Sequence, residues 1–96
     1  MVYTYEQLFE MLSRVGGAYH EVDGEQLFCR LRTESRDLDE FGRVQDKQLT
    51  LIYIEGDTHE RSIRQQVTVA GAEWRIVHIQ HKTSGMIVWT MIRYAV

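Results

Sequence analysis

Val67-Thr68-Val69-Ala70-Gly71-Ala72-Glu73-Trp74-Arg75-Ile76-Val77-His78-Ile79-Gln80-His81-Lys82-Thr83-Ser84-Gly85-Met86-Ile87-Val88-Trp89-Thr90-Met91-Ile92-Arg93-Tyr94 decides how this chain folds. β-branched and aromatic residues fill 67–69, 74–81 and 86–94, and the junctions between them are short, polar and contain glycine. Runs and junctions of that kind predict a three-stranded antiparallel meander over residues 67–96. Alternation puts Trp74, Ile76 and His78 on one face of the second strand, with Arg75, Val77, Ile79 and His81 on the other. In the last strand Ile87, Trp89 and Met91 oppose Met86, Val88, Thr90, Ile92 and Tyr94. Both faces are apolar. Burying one large apolar side chain contributes about 1.5–3 kcal/mol, so association with other subunits is expected to cover what a single small core leaves bare.

The chain upstream is consistent with one domain of 96 residues, a size at which single cores are usual. Thr4 and Gln7 form a capping-box pattern ahead of Tyr5, Leu8, Leu12 and Val15, which fall at helical spacing with Phe9 and Met11 beside them. Gly16-Gly17 stops that helix, so 1–17 is an N-terminal helical segment. Ala18 to Val22 is a weak strand and Asp23-Gly24 a strong turn. In Gln26 to Arg32, Leu27, Cys29 and Leu31 point one way and Phe28, Arg30 and Arg32 the other, as in a half-buried strand. Leu49 to Ile54 is apolar on both faces except at Thr50 and is expected to be covered on both sides. Asp57 or Thr58 can cap a helical turn running towards Gln66.

Residues 33–48 read as a long, mobile polar loop whose only large apolar residues are Leu38, Phe41 and Val44. Loops of that length in a compact domain are functional or disordered. Both readings stay open: a disordered connection, or one that folds on a partner. Partner contacts are expected of Asp37, Leu38, Asp39, Phe41 and Arg43, with Arg61 and Arg64 outside the loop. The fold class is therefore α+β, mostly β: a small antiparallel sheet or partly closed barrel with a short N-terminal helix and a long polar loop.

Charge narrows the partners. The net charge of −3 disfavours a dedicated nucleic-acid binder, which must neutralise phosphates. Residues 1–60 carry thirteen acidic and six basic side chains, whereas 61–96 carry five basic and one acidic. That polarity reads either as solvated faces or as a means of docking one face against another. No apolar run approaches the roughly 20 residues of a membrane helix, and no secretory leader pattern is present.

Catalytic, cofactor and metal signatures are not found. Cys29 falls on the inward face of its strand and reads as a small core residue. His78 and His81 are the only close histidine pair, and their odd separation sends them to opposite faces of a strand. Carboxylate pairs such as Asp37 with Asp39 lie in polar stretches and look solvated. Gly16-Gly17 follows no strand and no lysine completes a phosphate loop.

The order helix, Gly-Gly, strand, long polar loop, strand and closing meander resembles the head–tail joining proteins of tailed bacteriophages and prophages. The resemblance is carried by Val67 to Ile79, by Gly85, by Ile87-Val88-Trp89-Thr90-Met91-Ile92-Arg93-Tyr94 and by Leu49-Thr50-Leu51. It implies a non-enzymatic virion-assembly protein of the head-completion or head–tail adaptor kind, without cofactor. Such proteins act as ring-forming adaptors or stoppers between the portal (connector) of a DNA-filled head and the tail tube or tail terminator, with a hexamer as the expected ring. DNA contact would be incidental, and the location the virion, with the host cytoplasm during assembly. From another class, a small β-barrel module for a ligand or single-stranded nucleic acid would use Trp74, Trp89, Tyr53 and Tyr94 for stacking and Arg61, Arg64 and Arg75 for phosphates.

Overall fold

A capping box opens the helix that the sequence places first. Thr4 Oγ1 accepts the N–H of Gln7 at 3.2 Å, and Gln7 Oε1 accepts the N–H of Thr4 at 2.9 Å. A computed structural model describes residues 3–35 and 46–94. Helix α1 spans Tyr5–Arg14, with Glu6 in its first turn and Arg14 in its last, the order that the helix dipole favours. Its end is a Schellman motif: Gly17 N–H donates to the Leu12 carbonyl at 2.8 Å and Gly16 N–H to that of Ser13 at 3.4 Å. Both glycines are required. Gly16 sits at φ 98°, and a Cβ on Gly17 would lie 2.7 Å from the Leu12 oxygen.

Six strands follow: β1 (Ala18–Val22), β2 (Glu25–Ser35), β3 (Asp46–Ile54), β4 (Gln66–Val69), β5 (Ala72–His81) and β6 (Met86–Tyr94). They close into an antiparallel barrel in the order β1-β2-β3-β6-β5-β4. The meander β4-β5-β6 forms as expected, as do the turns at Asp23-Gly24 and 82–85. Ala70-Gly71 alone joins β4 to β5, since Val69 already pairs with Ala72.

Closure rests on little. The β1–β4 seam has one registered pair, Val22 with Val69. Around it, Asp23 N–H donates to the Thr68 carbonyl and Ala70 N–H to that of Glu21, each at 2.8 Å. The Asp23 side chain adds a third bond, its Oδ1 accepting the Thr68 N–H at 2.8 Å.

Leu27 and Cys29 of β2, Leu51 and Tyr53 of β3, Ile76 of β5 and Trp89 of β6 meet inside the barrel. Trp89 and Tyr53 sit edge to face, with ring centroids 4.9 Å apart, a favoured aromatic geometry. A second, smaller cluster lies outside the barrel wall. There Leu8 and Leu12 of α1 cover Phe28 and Ile54, with Phe9, Ile52 and Met86 at the margin.

The structure corrects several expectations. The apolar stripe of α1 is narrower than its sequence suggests: Tyr5, Met11 and Val15 are exposed, because a helix lying on a curved outer wall touches it along one ridge. Much of the two-faced apolar ribbon is already covered within one chain. Barrel closure takes one face inside, α1 takes part of the other, and Val77 is the only large apolar residue of the meander's described part left exposed. The alternation in β5 breaks at a bulge: Ile76 pairs with Met91 and His78 with Thr90, leaving Val77 extra. Beyond it Ile79 packs on the core and His78 is exposed. The connection between β2 and β3 is also shorter than 33–48. Thr33 pairs with Leu49 and Glu34 with Gln48, so both ends of that stretch belong to strands. Residues 55–65 contain no helix; they lack the apolar periodicity that would give a helix there something to pack on.

Candidate interaction surfaces

Asp37, Leu38, Asp39, Phe41 and Arg43, expected to contact partners, lie outside the described residues. The other two expected contacts, Arg61 and Arg64, take different roles.

Arg61 is turned inward. Its side chain is 10% exposed, and Nη2 donates to Asp23 Oδ2 at 3.1 Å. Nη1 donates to the His59 carbonyl, and Cζ lies 5.7 Å from the centroid of the Trp89 ring. Such a guanidinium is held by charge, hydrogen bond and ring together. Its Nε is buried and meets no acceptor among the described residues. Arg61 therefore ties the 55–65 segment to the barrel and to the β1–β2 turn; it is not a free contact residue. Sequence alone gave no signal for this pair, which joins positions 38 residues apart.

Arg64 is exposed, with φ at 76°. Its N–H donates to the Ile76 carbonyl at 2.6 Å, while Ile76 N–H returns a bond to Gln65. The backbone is fixed at the bulge of β5 and the side chain is free to meet solvent or a partner.

Three of the four aromatic residues proposed for base stacking are committed elsewhere. Trp89 and Tyr53 are fully buried in the barrel and Trp74 is buried at its rim. Burial raises the pKa of the Tyr53 phenol and pushes the Cys29 thiol up to about 11, so Cys29 is a protonated core residue. No group of three or more His, Cys, Asp or Glu suited to a metal ion occurs among the described residues. His78 and His81 are both exposed, on the outer wall and at the end of β5.

Two surfaces remain. Across the outer wall, β2 and β3 bear Arg30, Arg32, Glu34, Gln48, Thr50 and Ile52 around a shallow hollow. The Arg32–Glu34 pair spans it at 2.9 Å but is solvent-exposed and contributes little to stability. Register carries this row onward: Thr50 pairs with Thr90, and Thr90 with His78.

The other surface is aromatic. Phe9 stacks on Phe28 with centroids 4.1 Å apart, Tyr19 meets Phe28 edge-on at 5.2 Å, and Tyr5 stands beside Phe9 at 6.5 Å. Tyr5 and Tyr19 are 48% and 62% exposed, so half of this ladder faces water. Tyr5 Oη donates to Asp57 Oδ2 at 2.9 Å. Partial burial first, and then that bond, raises the pKa of the Tyr5 phenol. A hollow of about 190 Å³ opens between Tyr5, Tyr19, Gln26, Phe28 and Asp57. The sequence held half of this signal in the i, i+4 pair Tyr5 and Phe9. The rest needed the register of Tyr19 against Phe28.

Compared with protein-family models, curated proteins and solved structures, the chain gives no match. No helix among the described residues is long and apolar enough to cross a membrane.

Proposed function

We propose that this protein is a structural adaptor of virion assembly, joining the portal of a DNA-filled phage head to the tail. The observation that carries the reading is the filled barrel interior. Trp89, Tyr53, Ile76 and Met91 occupy the space where a small barrel would hold a ligand. No charged or polar residue among those described is fully buried, and the mostly buried Arg61 is committed to Asp23, so the described groups able to recognise another molecule lie outside the barrel. The resemblance of the order helix, Gly-Gly, strand, polar loop, strand and closing meander to head–tail joining proteins supports the same reading.

In this reading copies of the chain form a ring between portal or connector and tail tube or tail terminator. It acts in the virion, with the host cytoplasm as its place of assembly, and it catalyses no reaction. The 36–45 connection and the exposed Arg64 are its contact elements, and charge polarity between the halves favours head-to-tail docking of copies. The alternative, a barrel module for single-stranded nucleic acid, is weakened by the burial of Trp74, Trp89 and Tyr53.

Deleting Asp37 to Arg43 tests the reading. The variant is expected to keep the circular dichroism and melting profile of the intact protein and to block tail attachment in a complementation assay. Normal yields of infectious particles would overturn it. Salt-sensitive binding of single-stranded DNA by the intact protein, at physiological ionic strength, would favour the alternative.

A further inference from the structure

We propose that the hollow between α1 and the β1–β2 hairpin is a receptor for an arginine side chain presented by a partner protein. Tyr5 and Tyr19 offer partly exposed rings, Phe28 the floor, and Asp57 a carboxylate at the edge. Aromatic faces attract a cation through the ring quadrupole. A guanidinium is planar, so it can lie flat against a ring while its in-plane N–H groups form a fork on a carboxylate; a lysine ammonium, a compact point charge, lacks the flat stacking face and the bidentate fork.

The state of Asp57 fits that occupant. Its Oδ2 accepts the Tyr5 hydroxyl at 2.9 Å and its N–H donates to the Ile54 carbonyl at 3.1 Å. Both hold the carboxylate in place, and no described basic side chain pairs with it. The residues around the hollow include one acid and no base. Charge complementarity therefore selects a cation, and the volume of about 190 Å³ admits the end of one side chain. The Phe9–Phe28–Tyr19 ladder fixes the floor before any partner arrives, which lowers the entropy lost on binding.

The site stands on this geometry and not on the virion reading, so its test is separate. Blocked arginine (N-acetyl-arginine methylamide) is titrated into the intact protein, and the ring resonances of Tyr5 and Tyr19 are followed by NMR. Saturable shifts in the millimolar range are expected, with none from blocked citrulline, the neutral isostere, and weaker ones from blocked lysine. Asp57→Asn and Tyr19→Ala are each expected to weaken binding roughly tenfold. Unchanged Trp89 resonances confirm that both variants remain folded. Equal shifts from arginine and citrulline, no shifts at all, or shifts indifferent to both substitutions would overturn the proposal.

Discussion

The barrel interior and the shelf beneath α1 are built from the same kinds of residue and end in different states. Inside, Trp89 and Tyr53 meet edge to face and both are fully buried. Outside, Tyr19 meets Phe28 in nearly the same geometry, yet Tyr19 is 62% exposed. A closed barrel surrounds each inward side chain on every side. A short helix on a convex wall covers one ridge and leaves the flanking rings in water. Aromatic content alone therefore does not separate stability from recognition; enclosure does.

The hardest test of that contrast is Trp89→Ala. Truncating the central ring should cost about 3–5 kcal/mol, enough to unfold a domain with the usual stability of about 5–15 kcal/mol or bring it close. Urea denaturation followed by circular dichroism reads the loss. A loss below 1 kcal/mol would mean that the barrel does not enclose this residue as described.

Asp23→Ala comes next. It removes the acceptor for Thr68 N–H at the seam and leaves the mostly buried Arg61 guanidinium without its carboxylate. A loss of about 2–3 kcal/mol is expected. Converting Arg61 to Met in the same background should recover part of it, because the stranded charge disappears. No recovery would show that the pair is a surface contact.

The interior also carries a pH signature of its own. Cys29 ionises at about 11 when folded, against an ordinary value of 9.0. Its contribution is intact below the ordinary value. It is lost as pH rises through the folded one, because the unfolded chain releases the proton first. Stability should therefore fall by roughly 2–3 kcal/mol between about pH 9 and 11, and Cys29→Ala should flatten that slope. Native protein should resist a thiol reagent at pH 8 and react once unfolded; rapid labelling of the native state would contradict the burial.

Tyr19→Ala marks the small end of the scale. An exposed ring outside the core should change stability by about 0.5 kcal/mol or less, even though the same substitution is expected to weaken arginine binding roughly tenfold. A stability loss as large as that of Trp89→Ala would make the shelf part of the core.

Much of this architecture was readable in the chain because its signals are local. The capping box at Thr4 and Gln7, the paired glycines after α1 and the turns at Asp23-Gly24 and Gly85 each span a few residues. The grouping of Ile87, Trp89 and Met91 on one face followed from alternation alone, though not that this face is the inward one. What escaped detection depends on contacts far apart in sequence. The bulge at Val77 moved His78 out and Ile79 in, and nothing in the residue types there announces an extra position. Barrel closure depends on Val22 meeting Val69, and the inward turn of Arg61 depends on Asp23. The aromatic hollow needed Tyr5, Tyr19 and Asp57 to converge from three elements. Side-chain chemistry marked each as capable, but only the register of β1 on β2 and the position of α1 bring them together.

The single registered pair at Val22 and Val69 gives this cylinder a preferred place to come undone. Opening there would part β4 from β1, while β1 stays zipped to β2 through five registered pairs and α1 stays seated on Phe28 and Ile54. A molecule built this way trades a uniform wall for a seam, and Asp23 is its fastener through both backbone and side chain.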